Sequence, residues 1–104
     1  MSASAAIKCA CEIQKAIHKN LRQLKVRVGI NTGEVVRREG RHPFGQAVVA
    51  ASRIASRAEG EQILVSDVTR QLTSGSKFPF VEKGRFKPKG FNGSIKLHEV
   101  KWKD

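Results

Sequence analysis

The sequence predicts a mixed α+β or α/β domain in which the elements follow one another in the order α-β-α-β-α-β-β. Two kinds of hydrophobic periodicity support this class: some segments repeat apolar residues every three or four positions, and others alternate them every second position. Helices between the first strands indicate at least partly parallel pairing, because parallel strands need a crossover connection. A short loop containing Pro and Gly separates the last two strands and predicts a hairpin.

Each predicted element has a local signal. The helices carry an apolar stripe, the strands carry alternating or continuous apolar residues, and Ser or Gly stands at several of their ends. The predicted elements are a helix over 7–24, a strand over 26–30 that turns at Gly33 and continues through 35–36, a helix over 47–58 closed by Gly60, a strand over 63–65, a helix over 66–72 capped by Ser66, and strands over 78–86 and 95–102.

Length and composition indicate one globular domain. The chain has 104 residues, of which 39% are hydrophobic, enough for a single core. No segment approaches the ~18 apolar residues of a membrane span, and the start of the chain is too short and polar for a signal peptide. We therefore expect a cytoplasmic protein without a membrane segment. Cys9 and Cys11 match neither a zinc spacing nor a disulfide framework, and we interpret them as reduced packing residues.

The net charge of +11 restricts the range of partners. Such a charge is compatible with nucleic-acid binding, which gains affinity by releasing counterions from phosphates. The basic residues are spread along the chain, however, and the aromatic residues are not interleaved with them as in single-strand binders. Nucleic acid is therefore not the expected partner. Solvated surface charge and a site for a small polyanion such as a nucleoside triphosphate both stay open.

Several common catalytic motifs are missing. The sequence contains no P-loop, dinucleotide-binding fingerprint or HExxH pattern. His18, His42 and His98 stand far apart, so we expect surface or half-buried side chains rather than metal ligands. Ser66 followed by Asp67 is better explained by helix capping than by nucleophilic catalysis.

Four segments occur in an order and spacing that belong together: 27–36 (RVGINTGEVV), 44–54 with Phe44-Gly45 leading into VVAASRI, 60–66 (GEQILVS) and 89–91 (KGF). In these segments the chain resembles the catalytic, or cyclase homology, domain of class III adenylate and guanylate cyclases. The resemblance covers nearly the whole chain but only the C-terminal half of that domain. It implies a single partial cyclase homology domain over residues 1–104, with a truncated, ferredoxin-like nucleotide cyclase fold.

The resemblance also implies which part of the chemistry is missing. In the family, the preceding half of the domain carries two metal-binding Asp residues, and two metal ions activate the ribose 3′-hydroxyl and neutralise the triphosphate. This chain has neither Asp, so we expect no metal ligand or cofactor on it alone. Mg²⁺ or Mn²⁺ with ATP or GTP would bind if a partner supplied the Asp ligands.

Two positions of the second helix correspond to family site residues. Arg53 stands where the family has its transition-state arginine, so the resemblance implies a catalytic role in stabilising phosphate charge. Val49 stands where the family has an asparagine that orients the ribose, and valine cannot form that hydrogen bond. Positions 49 and 53 share one helix face, directed to a cleft or partner. A surface ion pair of Arg53 with Glu34 or Glu39 is the alternative.

The other implied substrate-binding residues lie in loops. His42 stands near the position at which the family selects the base, and histidine favours neither adenine nor guanine. Phe44 and Gly45 form the entry to the second helix, where a glycine allows a tight approach to a ligand or strand. Lys89 resembles a lysine that approaches the triphosphate, with a solvated loop lysine as the alternative.

The resemblance places the strand over 26–30 beside a strand that this chain lacks. Because an unpaired strand exposes backbone donors and acceptors, we expect a homodimer or higher oligomer.

The resemblance leaves two candidate functions. One is a cyclase-related domain of cyclic nucleotide synthesis and signalling, expected to be inactive alone without the Asp pair. The other is a non-catalytic regulatory module that binds a nucleotide or a protein.

Overall fold

The computed structural model describes residues 2–32, 46–73, 75–91 and 93–103, with only the backbone of residues 46–48. The order of elements is the predicted one. The elements are α1 (Ala3–Asn20), β1 (Val28–Ile30), α2 (Gln46–Arg57), β2 (Ile63–Ser66), α3 (Asp67–Gln71), β3 (Phe80–Phe86) and β4 (Ile95–Val100).

The described strands form one mixed sheet with the order β1-β2-β4-β3. β1 and β2 are parallel, with Gly29 opposite Leu64, and α2 supplies the crossover between them. β4 is antiparallel to both β2 and β3. The parallel first pair and the C-terminal hairpin are thus confirmed. A register shift in β3 between Glu82 and Arg85 coincides with Gly84, whose φ is 84°.

The ends of two helices differ from the prediction. α1 begins at Ala3 because the Ser2 hydroxyl accepts a hydrogen bond from the Ala5 N–H. It ends at Asn20, since Leu21 leaves the helical region with φ −136°. The residue with positive φ after α2 is Glu61 (φ 70°), so Gly60 is not the left-handed cap. The predicted strand continuation over 35–36 lies outside the described residues.

The two faces of the sheet carry separate apolar clusters. On one face, α1 packs against alternate residues of the strands through Ile7, Ala10, Ile63, Val65, Val100 and Trp102. On the other face, α2 packs through Ile54, Ala58, Leu64 and Leu97. Consecutive strand residues therefore serve opposite clusters, as the two-residue period of a strand requires.

The two cysteines have different surroundings. Cys11 is partly buried and packs against the α1 cluster, as predicted. Cys9 is exposed, so the prediction that it packs is wrong. Both are free thiols. No helix in the described ranges is long and apolar enough to cross a membrane.

Gly29 determines how closely α2 approaches the sheet. A Cβ atom at this position would lie 2.7 Å from the Ala51 carbonyl oxygen and would also overlap the backbone N of Ala55. The backbones of β1 and α2 are thus in direct contact. Only a residue without a side chain permits this approach.

Two polar contacts hold α3 against the sheet. The Ser66 hydroxyl caps α3 by accepting from the Thr69 N–H, which confirms the capping interpretation. The Asp67 carboxylate lies 2.7 Å from Nε2 of His98 on β4. His98 is only 6% exposed, so it is more deeply buried than predicted. Its hydrogen bond lowers the pKa of Asp67, with a further contribution from Arg70.

Glu61 joins three distant segments of the chain. Its carboxylate lies 2.6 Å from Nζ of Lys103, 2.8 Å from Nζ of Lys25 and 3.2 Å from Nδ1 of His18. Its carbonyl accepts a hydrogen bond from the indole N–H of Trp102. The end of α1, the connection to β1 and the C-terminal segment therefore meet at one carboxylate. These contacts, led by Lys103, lower the pKa of Glu61 to about 2.

Gly29→Ala should destabilise the fold by about 3 kcal/mol, because backbone atoms of α2 would have to move away from β1. Gly75→Ala is the matched control, since a Cβ there meets nothing within 4 Å. Urea unfolding followed by circular dichroism measures both. Equal stability of the two variants would contradict the close approach.

Glu61 should make stability depend on pH in acid. A carboxyl whose pKa is lowered on folding stabilises the protein above its unfolded value, and this stabilisation is lost as pH falls through the folded value. Unfolding free energy should therefore fall between pH 4.5 and about 2. Glu61→Gln should remove part of that dependence, whereas Glu59→Gln, a change of the same charge at an exposed residue, should leave it. Identical pH profiles for both variants would contradict this role.

Candidate functional site

Three exposed side chains form a row along α2: Val49, Arg53 and Arg57. Residues four apart on a helix share a face, one turn from each other. The neighbouring face of α2, with Ala50 and Ile54 buried, packs on the sheet, and Ala58 just after the helix is buried too. The amphipathic sequence of α2 thus directs this row to solvent. Val49 remains 43% exposed although it is apolar.

Arg57 contacts the end of β3. Its guanidinium carbon lies 5.1 Å from the ring centroid of Phe86, a cation–π geometry. Phe86 is itself packed against the α2 cluster. The contact therefore connects the helix with the strand that leads into the β3–β4 connection.

Lys89 lies in a tight turn of that connection. The turn is closed by a hydrogen bond from the Phe91 N–H to the Pro88 carbonyl, at 3.1 Å, and Gly90 takes φ 87°. Positive φ at the third residue of such a turn favours glycine. Pro88 is buried and anchors the turn, while Lys89 is exposed.

The predicted site residues fall into two groups. Arg53 and Val49 lie on one exposed face of α2, and Lys89 lies in the turn three residues after Phe86. The Arg57–Phe86 contact brings these two elements together. His42, Phe44 and Gly45 lie outside the described residues. Glu34 and Glu39, which were the alternative partners for Arg53, also lie outside the described residues.

Four of the six described carboxylates are paired with basic side chains. Glu61 and Asp67 are held by basic groups, as described above. Glu99 lies 3.3 Å from Nζ of Lys83 and 3.4 Å from Nζ of Lys101, and Glu82 pairs with Lys96. In the described part of the chain, no group of three or more His, Cys, Asp or Glu residues is placed to hold a metal. The donors present do not fit the two-metal site that the resemblance implies.

A cavity of about 230 Å³ lies elsewhere, lined by residues 59–62 and 99–103. None of the predicted site residues lines it. Its wall includes Glu61 and Trp102, which are already engaged in the contacts described above.

Sequence reasoning missed Arg57 and Phe86. The four-residue step from Arg53 to Arg57 was a usable signal, because it places both guanidinium groups on one face. The contact with Phe86 had no sequence signal, since the two residues are distant in the chain and meet only in the folded domain.

Comparison with known proteins places the chain in a family. The family model for the adenylate and guanylate cyclase catalytic domain matches residues 2–101. The chain belongs to this family, which supports a function related to adenylate or guanylate cyclases.

Solved structures agree with this assignment. An adenylate/guanylate cyclase/hydrolase from Silicibacter pomeroyi is 33% identical, with TM-score 0.81, over 96% of this chain and 63% of that one. The catalytic core of a rhodopsin-guanylyl cyclase in complex with ATPαS is 26% identical, with TM-score 0.71, over 94% and 58%. The guanylate cyclase domain of RhGC from Catenaria anguillulae, in complex with GTP, is 25% identical, with TM-score 0.69, over 95% and 59%.

The coverage is unequal in the two directions. The chain spans only 58–63% of the length of these three structures, in agreement with a truncated cyclase fold. A comparison with curated protein sequences gave no match.

The turn that carries Lys89 gives a stability prediction. Gly90→Ala should cost about 1 kcal/mol, because an alanine at φ 87° is strained even where a Cβ has space. Gly93→Ala, in the same connection and also with open space, is the control and should be near neutral. Chemical denaturation compares the two. A Gly90→Ala variant as stable as the control would contradict the turn geometry.

Proposed function

We propose that this chain is a partial cyclase homology domain, over residues 1–104, that binds nucleoside triphosphates in cyclic-nucleotide signalling and is inactive as a cyclase alone. Family membership supports the class of function. The single observation that carries the binding proposal is the exposed position of Arg53 on the solvent face of α2. A cytoplasmic location, where triphosphates are available and Cys9 and Cys11 stay reduced, belongs to the proposal.

Arg53 supplies the main interaction with the ligand. A guanidinium offers planar N–H donors that match phosphate oxygens, and its charge is not lost at physiological pH. In the proposed site Lys89 adds a second charge from its turn, while His42, Phe44 and Gly45 complete the contacts around the ligand. Val49 contributes no hydrogen bond to the ribose.

The proposed lack of activity follows from the donor set. Cyclases of this family generally use Mg²⁺ or Mn²⁺ with a nucleoside triphosphate. Four of the described carboxylates pair with Lys, Arg or His, and among the described residues no group of three or more His, Cys, Asp or Glu is placed to hold a metal that could activate a ribose hydroxyl. We infer that a partner would have to supply the Asp ligands before catalysis could occur.

The test combines binding and turnover. The purified chain should bind ATP or GTP by calorimetry but release no cyclic product in Mn²⁺. Arg53→Gln should weaken binding about tenfold, the usual effect of losing a charged hydrogen bond at an exposed site. Arg22→Gln, the same charge change at an exposed residue between α1 and β1, is the control. Cyclic product from the chain alone would contradict the proposed inactivity, and equal affinities of the two variants would contradict the role of Arg53.

Self-association is the second part of the proposal. Cyclase domains act as dimers. Within the described ranges, β1 lies at an edge of the sheet and pairs only with β2. Ile13 of α1 and Leu24 of the connection from α1 to β1 are 44% and 50% exposed. An unpaired strand edge and exposed apolar side chains both favour association with another chain.

Light scattering should therefore detect a dimer or higher oligomer at micromolar concentration. Since each chain carries +11, raising the salt concentration should strengthen the association by screening repulsion. A monomer at all salt concentrations would contradict this part of the proposal.

The alternative function is a non-catalytic regulatory module that binds a nucleotide or a protein, and the exposed apolar side chains Ile13 and Leu24 favour its protein-binding form. Failure to bind any nucleotide, together with a stable oligomer, would support that alternative.

A further inference from the structure

We propose that the α2 row recognises a short linear polyphosphate by its charge alone, without selecting the ribose or the base. The ligand class is then the triphosphate group itself, either free or as part of a nucleotide, and Val49 is the residue that prevents nucleoside selection. This inference rests on the proposed function, because it concerns the same surface.

Arg53 and Arg57 are among the described basic groups that have no carboxylate partner, whereas six others have one. Lys25, Lys83, Lys96, Lys101, Lys103 and Arg70 each pair with a carboxylate. In residues 2–32, 46–73, 75–91 and 93–103, no carboxylate pairs with Arg53 or Arg57. Among the described residues, therefore, no carboxylate competes with an anion for these two side chains, whose Cβ atoms are about 5–6 Å apart, one helical turn.

The Phe86 ring orients Arg57 without using its hydrogen-bond donors. In the cation–π contact the guanidinium carbon is 5.1 Å from the ring centroid, and the attraction acts through the ring face rather than through an N–H acceptor. A guanidinium held in this way retains planar N–H groups for phosphate oxygens and loses less side-chain entropy on binding. Arg57 is thus a second phosphate contact, fixed by the apolar cluster beneath it.

Val49 continues the row on the other side of Arg53. Its side chain is 43% exposed and offers neither donor nor acceptor. A ribose placed over Val49 would lose hydrogen bonds to water without gaining one from the protein. The sugar would therefore add nothing to the binding affinity. The row therefore combines two guanidinium groups that attract phosphate with a valine that forms no hydrogen bond to a nucleoside.

The probes are ATP, GTP, 2′,3′-dideoxy-ATP and inorganic tripolyphosphate, measured by calorimetry in EDTA and about 0.15 M NaCl. We expect the four affinities to agree within about threefold. A preference of tenfold or more for ATP over both dideoxy-ATP and tripolyphosphate would overturn the inference while leaving nucleotide binding intact. Failure of all four probes to bind would instead refute the proposed function itself.

Two variants test separately the phosphate contact of Arg57 and the lack of ribose selection at Val49. Arg57→Gln should weaken all four probes alike, by about fivefold, with Arg22→Gln as the control of equal charge. Val49→Asn should strengthen ATP relative to tripolyphosphate by about fivefold, because the amide can then bind a ribose hydroxyl. Thermal unfolding shows that each variant is folded. Equal affinities for Arg57→Gln and Arg22→Gln, or an unchanged ATP-to-tripolyphosphate ratio in Val49→Asn, would contradict the assignment.

Discussion

The direct contact between the backbones of β1 and α2 is the constraint on which the rest of the structure depends. It exists because residue 29 has no side chain and the α2 backbone at Ala51 and Ala55 occupies that space. Once α2 lies this close, Ile54 and Ala58 reach the sheet and the row through Val49, Arg53 and Arg57 faces solvent. The same depth lets Arg57 reach Phe86. The absence of one side chain therefore positions both the α2 cluster and the exposed basic row.

Charge is distributed unevenly over this framework. The carboxylates stabilise the fold, since Glu61 joins three segments and Asp67 binds the buried His98. Glu82 and Glu99 also pair with lysines. On α2 the basic groups face no described carboxylate. The proposed phosphate surface therefore lies apart from these ion pairs, and in the described part of the chain no group of three or more His, Cys, Asp or Glu is placed to hold a metal. Retention of the ligand does not require retention of the reaction.

Much of the fold could be predicted from local signals. The apolar periods gave the order of elements, and Ser66 gave the start of α3. Helix ends were less accurate: the Ser2 cap extends α1 at its start, and α1 ends at Asn20, before Leu21 leaves the helical region. The burial of His98 and the cluster around Glu61 could not be predicted, because their partners are distant in sequence. At the site, helix geometry predicted that positions 49 and 53 share one face. The contact of Arg57 with the Phe86 ring could not be predicted, because the two residues meet only in the folded domain.

The most direct test of the central claim is amide chemical-shift mapping by NMR during titration with tripolyphosphate. The account predicts that the largest changes fall on residues 49–57 and 86–91, the two elements that the Arg57–Phe86 contact connects. Changes centred instead on the cavity of residues 59–62 and 99–103 would show that the anion binds elsewhere and would contradict the account.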